Sequence, residues 1–127
     1  MATQDWFLES LVNIANETEV GVGVTLMVGG TVVTGTLASG KQYFEGLAGL
    51  KFQGNQEIGD VLKQAFADAG QALQPARDET PRYVHLRDAR VVTTAGTLPT
   101  SEGMWWRGHL SEVDAFWVGS LGLENGP

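Results

Sequence analysis

A chain of 127 residues with 43% hydrophobic content and no cysteine suits one compact domain, and it excludes disulfides, thiolate nucleophiles and thiolate metal sites together. Eight Lys and Arg against fifteen Asp and Glu leave a formal charge of −7, which repels phosphate backbones unless the cations gather on one face, so nucleic acid is disfavoured as a partner. Residues 1–8 lack a basic region followed by an unbroken apolar stretch, and no segment reaches the roughly 20 apolar residues that span a bilayer; the reading is a cytoplasmic protein with no membrane partner.

Seventeen glycines against four prolines favour a turn-rich β architecture over a helical bundle. Phe7, Leu8, Leu11, Val12, Ile14 and Ala15 recur at helical spacing behind Thr3 as a cap and Asp5 in the first turn, which predicts a helix to about residue 16. Val20, Val22, Val24, Leu26 and Val28 then alternate with other residues, the period of a strand with five aliphatic side chains on one face. Gly29-Gly30 supplies the positive φ angles of a tight turn, and 31–39 returns as a β-branched strand. Tyr43, Phe44, Leu47 and Leu50 predict a short helix over 41–50, although Gly46 and Gly49 each weaken it by about 1 kcal/mol relative to alanine. Ile58, Val61, Leu62, Ala65, Phe66, Ala69, Ala72 and Leu73 form the stripe of a stronger helix over 57–73. The proline-bounded polar stretch 74–81 reads as a surface loop. Strand character follows at 82–93, breaks at 95–103 and returns at 104–110 and 113–121, before a frayed tail at 124–127.

The segment Trp105-Trp106-Arg107-Gly108-His109 holds the densest chemistry. Flanked by indoles, the Arg107 guanidinium can stack on an aromatic plane while bonding Glu112 or Asp114 bidentately, which predicts an ion pair fixing the corner between two strands. Trp105 and Trp106 point to opposite faces of one strand, so one of them packs against the helices or a neighbouring subunit. His85 and His109 titrate nearest neutrality and, with Asp88 or Asp114, have the functional groups of a base or a metal ligand. No HxH or HxxxH spacing supports a metal site, no Gly-x-Ser-x-Gly marks a nucleophile, and Gly21-x-Gly23 lies within a strand pattern rather than opening a helix. The sequence therefore predicts no catalytic residue, no metal and no cofactor.

Several of these stretches taken together, Trp6-Phe7, Val28-Gly29-Gly30-x-Val32-Val33-Thr34-Gly35-Thr36, Tyr43-Phe44, Val84-His85-Leu86, and Trp106-Arg107-Gly108 followed by Glu112-Val113-Asp114-x-Phe116, resemble the gas vesicle accessory protein U family over nearly the whole chain. The resemblance implies a non-structural accessory protein of gas vesicles, the hollow protein-walled flotation organelles of some prokaryotes, with the vesicle wall or other accessory proteins as partners.

A second, more distant likeness concerns the fold. Met27-x-x-Gly30-x-x-Val33-x-Gly35-x-Leu37, Leu86-x-Asp88-Ala89 and Trp106-Arg107-Gly108-His109 are similar to the sequence blocks of Sm-like proteins. That likeness implies an α+β fold, a small, strongly bent, five-stranded Sm- or SH3-like barrel with an N-terminal helix and a helical insertion at about 41–74, assembling as a ring of five to seven subunits. Tyr43 falls at the base-stacking position of an Sm-like RNA site, but Lys41 and Glu45 stand where the flanking Asp and Asn would be. The expected function is non-enzymatic: self-assembly through strand edges and exposed aromatics, with Tyr43, Trp105, Trp106, Arg107 and Gly108 as interaction residues. An RNA-binding ring requires instead a basic patch of Lys41, Arg87, Arg90 and Arg107. A small enzyme requires a concave site uniting His85 and His109 with a carboxylate.

Overall fold

The computed structural model describes residues 4–51, 53–72, 80–100 and 102–121. The first helix, α1 (Trp6–Thr18), is capped by Asp5, whose Oδ1 accepts the amides of Phe7 and Leu8 at 2.8 and 3.1 Å. A carboxylate in extended backbone conformation directly ahead of the first turn satisfies two otherwise orphaned donors and complements the helix dipole, so Asp5 takes the capping role assigned to Thr3, which lies outside the described residues. Leu8, Val12 and Ala15 form its buried stripe.

The hairpin of β1 (Gly23–Val28) and β2 (Thr31–Ala38) pairs in unbroken register from Gly23–Thr36 to Val28–Thr31. Gly29 and Gly30 turn it with φ of 56° and 86°, the pair of positive angles that matches the twist of the flanking strands. Of the five valine and leucine positions expected on one face, Val24 and Leu26 are buried, Val22 and Val28 pack at the margin of the core, and Val20 stands exposed ahead of the strand. Thr25 and Thr34, opposite each other on the second face, are buried as well. Their hydroxyls share a hydrogen bond of 3.0 Å; Thr25 donates to the Gly119 carbonyl and Thr34 accepts the Leu121 amide. The sheet is therefore covered on both faces here, which a strict alternation of valine with smaller residues does not announce.

Between β2 and the next strand lie α2 (Gly40–Ala48) and α3 (Gln56–Ala72), packed on each other. Ser39 opens α2 with a capping box: its hydroxyl accepts the Gln42 amide, and the Gln42 side chain accepts the Ser39 amide, both at 2.9 Å. Two satisfied donors at the start offset the glycines within. Asn55 caps α3 as Asp5 caps α1, its Oδ1 accepting the amides of Glu57 and Ile58. Of the loop expected at 74–81, residues 74–79 lie outside the described residues, as does the whole tail at 124–127.

The chain then forms β3 (Tyr83–Thr93), β4 (Gly96–Leu98), β5 (Met104–His109), the 3-10 turn η1 (Leu110–Glu112) and β6 (Val113–Val118). All pairings are antiparallel, in the order β4-β3-β2-β1-β6, with β5 beside the first half of β3. The expected five-stranded barrel is thus corrected to a six-stranded open sheet: the break at 95–103 contains a short strand, and β5 and β6 do not pair with each other. The sheet is nonetheless strongly curled. A flat sheet would set β5 about 19 Å from β6, four strand spacings away, whereas a 3-10 turn of three residues advances only about 6 Å.

The bend is placed by β3. Its register slips against both neighbours around Arg87 and Asp88, Asp88 takes a left-handed φ of 52°, and β3 passes so close to β2 that a Cβ at Gly35 would lie 3.0 Å from the Arg87 carbonyl oxygen. Inside the curl, Leu8, Val12 and Ala15 of α1 meet Val24, Leu26, Val33, Leu37, Val84, Leu86, Ala89 and Leu110, with Trp106 and Phe116 packed against this core.

Candidate functional site

Pairing of β3 with β5 sets His85 opposite Arg107 and Tyr83 opposite His109, so these four side chains share the sheet face that α2 covers. Tyr43, on α2, lies 4.9 Å from the His85 ring and 6.3 Å edge-on to Trp105. The α2 N-terminus, the last turns of α1 and this face enclose a cleft of about 1080 Å³, whose lining includes Asn13, Glu17, Lys41, Tyr83, His85 and Arg107.

His85 is the buried titratable group of the cleft. It is 7% exposed, and its Nε2 has no hydrogen-bond partner among the described residues. Burial, reinforced by the neighbouring Arg107 guanidinium, lowers its pKa from 6.5 to about 4, so the ring is neutral at neutral pH. The His109 ring lies 4.9 Å from that of Tyr83, centroid to centroid and tilted by 34°. The carboxylates proposed to join the histidines are engaged elsewhere: Asp88 pairs with Arg90 at 3.2 Å and accepts the Gly103 amide, and Asp114 accepts the Gly29 amide at the hairpin turn. Among the described residues no three His, Cys, Asp or Glu side chains gather to hold a metal ion.

Arg107 departs from the expected corner. Its guanidinium lies 3.9 Å from the Tyr83 ring centroid and 5.5 Å from that of Phe44, and it makes no ion pair with Glu112 or Asp114. The reason is register: Arg107 faces α2 across from His85, while Asp114 is drawn to the turn between β1 and β2. Trp105 also faces α2, against Gly46, where a Cβ would overlap the indole. Trp106 faces the core, and Gly108 leaves room for it, since a Cβ there would meet the indole ring. Among the five proposed interaction residues, Trp105, Trp106 and Gly108 thus make packing contacts inside the chain, Tyr43 sits between His85 and Trp105, and Arg107 lines the cleft.

Sequence reasoning passed over Tyr83 and the α1 residues of the cleft, because only the β3–β5 register and the α2 cap bring them together. In the sequence, Trp6 and Phe7 figure in the family resemblance and Phe7 in the helical stripe, not as a surface. They stand 76% and 44% exposed, Phe7 stacked between Trp6 and Phe116 at 5.7 Å from each. The four cations of the RNA alternative are dispersed: Lys41 and Arg107 line the cleft, Arg90 pairs with Asp88, and Arg87 lies beside Gly21.

The sequence model of the family described as Gas vesicle protein GvpU-like matches residues 5–121. The chain belongs to the GvpU-like family. The match takes in every helix and strand from α1 to β6, and membership implies a gas vesicle accessory protein. No curated protein and no solved structure is significantly similar to the chain. Among the described residues no helix is long and apolar enough to cross a membrane.

In this GvpU-like chain the role of Arg107 is testable by conservative replacement. Lysine keeps the charge but loses the planar group that rests on Tyr83, and an exposed cation–π contact contributes about 0.5–1 kcal/mol. Arg107→Lys should therefore lower stability in urea by no more than about 1 kcal/mol. A loss of about 3 kcal/mol would instead point to the desolvated ion pair that the sequence suggested.

Proposed function

We propose that this GvpU-like chain is a non-enzymatic accessory protein that works by self-assembly and protein contact. The observation that carries the reading is the β6 edge with its exposed apolar surroundings. Among the described residues β6 pairs only with β1, which leaves its outer edge open, and it carries Trp117 at 43% and Val118 at 55% exposure, with Phe116 leading to Phe7 and Trp6. Unpaired backbone beside exposed aromatics is a surface that a soluble chain normally covers with a partner strand.

The opposite border of the sheet offers that strand. Among the described residues β5 pairs only with β3, so β5 of one subunit and β6 of the next present complementary unpaired edges. Pairing two different edges of identical chains is heterologous, and a curled sheet turns each copy relative to the last, which is the rotation that a closed ring requires. The distant likeness to ring-forming Sm-like proteins supports the same arrangement, with five to seven subunits. The assembled particle then contacts the vesicle wall or other accessory proteins.

Light scattering on the purified chain should give a mass of five to seven times 13.6 kDa. Val118→Lys, which sets a charge on the open edge, should return the monomer with its melting temperature retained. A mass of 13.6 kDa for the unaltered chain across micromolar concentrations would remove self-assembly from the account.

A further inference from the structure

We propose that the cleft between α1, α2 and the β3–β5 ladder is a docking site for an acidic segment of polypeptide, whose carboxylate is received by Arg107 beside the first turn of α2. Three features of the cleft converge on this ligand. The Arg107 guanidinium lies with its face on Tyr83 and near Phe44, and it makes no ion pair among the described residues. Stacking uses the face of the group and leaves its N–H edge, the side that grips a planar carboxylate with two parallel hydrogen bonds.

The α2 N-terminus opens beside it. Ser39, Gly40 and Lys41 all line the cleft, so the Lys41 charge and the positive end of a nine-residue helix add to the field of Arg107. His85 supplies the independent mark of a binding site: a nearly buried ring lining the cleft, with one nitrogen unmatched by any described residue. Buried polar atoms without partners are uncommon in finished interiors, and this nitrogen, itself closed to solvent, would meet a ligand's partner atom on a turn of the ring toward the cleft.

The far wall decides between a polypeptide and a simple anion. It carries Asn13 and Glu17 from α1, together with Glu19, which accepts the Ser39 hydroxyl at 3.0 Å. Phosphate carries one or two negative charges close to its few hydroxyl donors, and that charge would face these carboxylates. A peptide brings a carboxylate for Arg107 and backbone N–H donors for Glu17 and the Asn13 side chain. The cleft, at about 1080 Å³, also matches the upper range of ligand sites, large enough for several residues. None of these lining residues belongs to β6 or to the Trp6–Phe7 surface, so the docking site and self-assembly are separable.

The test is an NMR titration of the full ¹⁵N-labelled chain with three probes at fixed ionic strength: acetyl-Ala-Glu-Ala-amide, acetyl-Ala-Gln-Ala-amide and inorganic phosphate. The glutamate peptide should shift the Gly40 and Lys41 amides and the His85 and Arg107 side-chain signals, and should bind about tenfold more tightly than either other probe. Arg107→Gln should weaken the glutamate peptide about tenfold, and Lys41→Gln, at an exposed position, about threefold with an unchanged melting temperature. Light scattering alongside shows whether the chain is assembled; peptide binding by a monomer supports the docking site even where self-assembly fails. Equal shifts by the glutamate and glutamine peptides, tighter binding of phosphate, shifts centred away from the cleft, or two variants that bind as the unaltered chain does would each overturn the proposal.

Discussion

Acidification from pH 6.5 to 4 should remove about 3 kcal/mol of stability through His85 alone. The folded chain holds this ring neutral, with its pKa lowered to about 4 by burial and by Arg107, against 6.5 when unfolded. Below pH 6.5 the unfolded chain therefore binds a proton that the folded chain refuses, and each further step down favours unfolding. The contribution is complete above pH 6.5, declines through the window between the two values and is gone below pH 4. Tyr43 and Tyr83 flank the ring and Arg107 lies across from it, so a charge on the ring would meet aromatic neighbours and a second cation. Urea unfolding at pH 7, 5.5 and 4 should show this loss, and His85→Phe, which keeps an aromatic ring without a titrating nitrogen, should flatten it. A His85→Phe variant as acid-sensitive as the unaltered chain would show that other groups carry the effect.

Gly46→Ala should destabilise the chain, against the usual benefit of alanine in a helix. Helix propensity alone favours the change by about 1 kcal/mol. A Cβ at this position, however, would overlap the Trp105 indole, a rigid ring held between α2 and β5, and overpacking of this kind costs about 1–3 kcal/mol. The clash should win, leaving a net loss and a red shift in tryptophan emission as the indole is displaced. Gly49→Ala is the internal control. It sits at the end of the same helix with a right-handed φ of −86° and no atom within 3.4 Å of the added methyl group, so it should be neutral or mildly stabilising. Equal behaviour of the two variants would contradict the packing of Trp105 on α2.

These two glycines mark where the sequence is readable and where it is not. Periodicity places α1, the hairpin and both inserted helices, because amphipathic spacing and the Gly29-Gly30 turn are local properties. From sequence, Gly46 and Gly49 look like two equal defects; the structure makes one a socket for an indole and the other a helix end. The same limit governs the candidate site. Arg107 with aromatic neighbours is legible as a stacking group, but its partner ring, Tyr83, is 24 positions away and is brought near only by the β3–β5 register. The proposed pairing with Glu112 or Asp114 relied on closeness in sequence, which η1 defeats by carrying the chain to the opposite edge of the sheet. β4 escaped notice because a three-residue strand has too few positions to show a period, whereas the barrel was implied by the likeness to Sm-like proteins and is opened by β5 and β6 lying on different edges of the sheet.

Co-flotation with purified gas vesicles tests the account most directly. Vesicles stripped of associated proteins are mixed with the purified chain and raised by slow centrifugation, and the protein is measured in the floating and lower layers. The account predicts that the chain rises with the vesicles when the wall alone or the wall with other accessory proteins is supplied, and that the monomeric Val118→Lys variant rises less. A folded, unaltered chain that remains wholly in the lower layer under both conditions would contradict it.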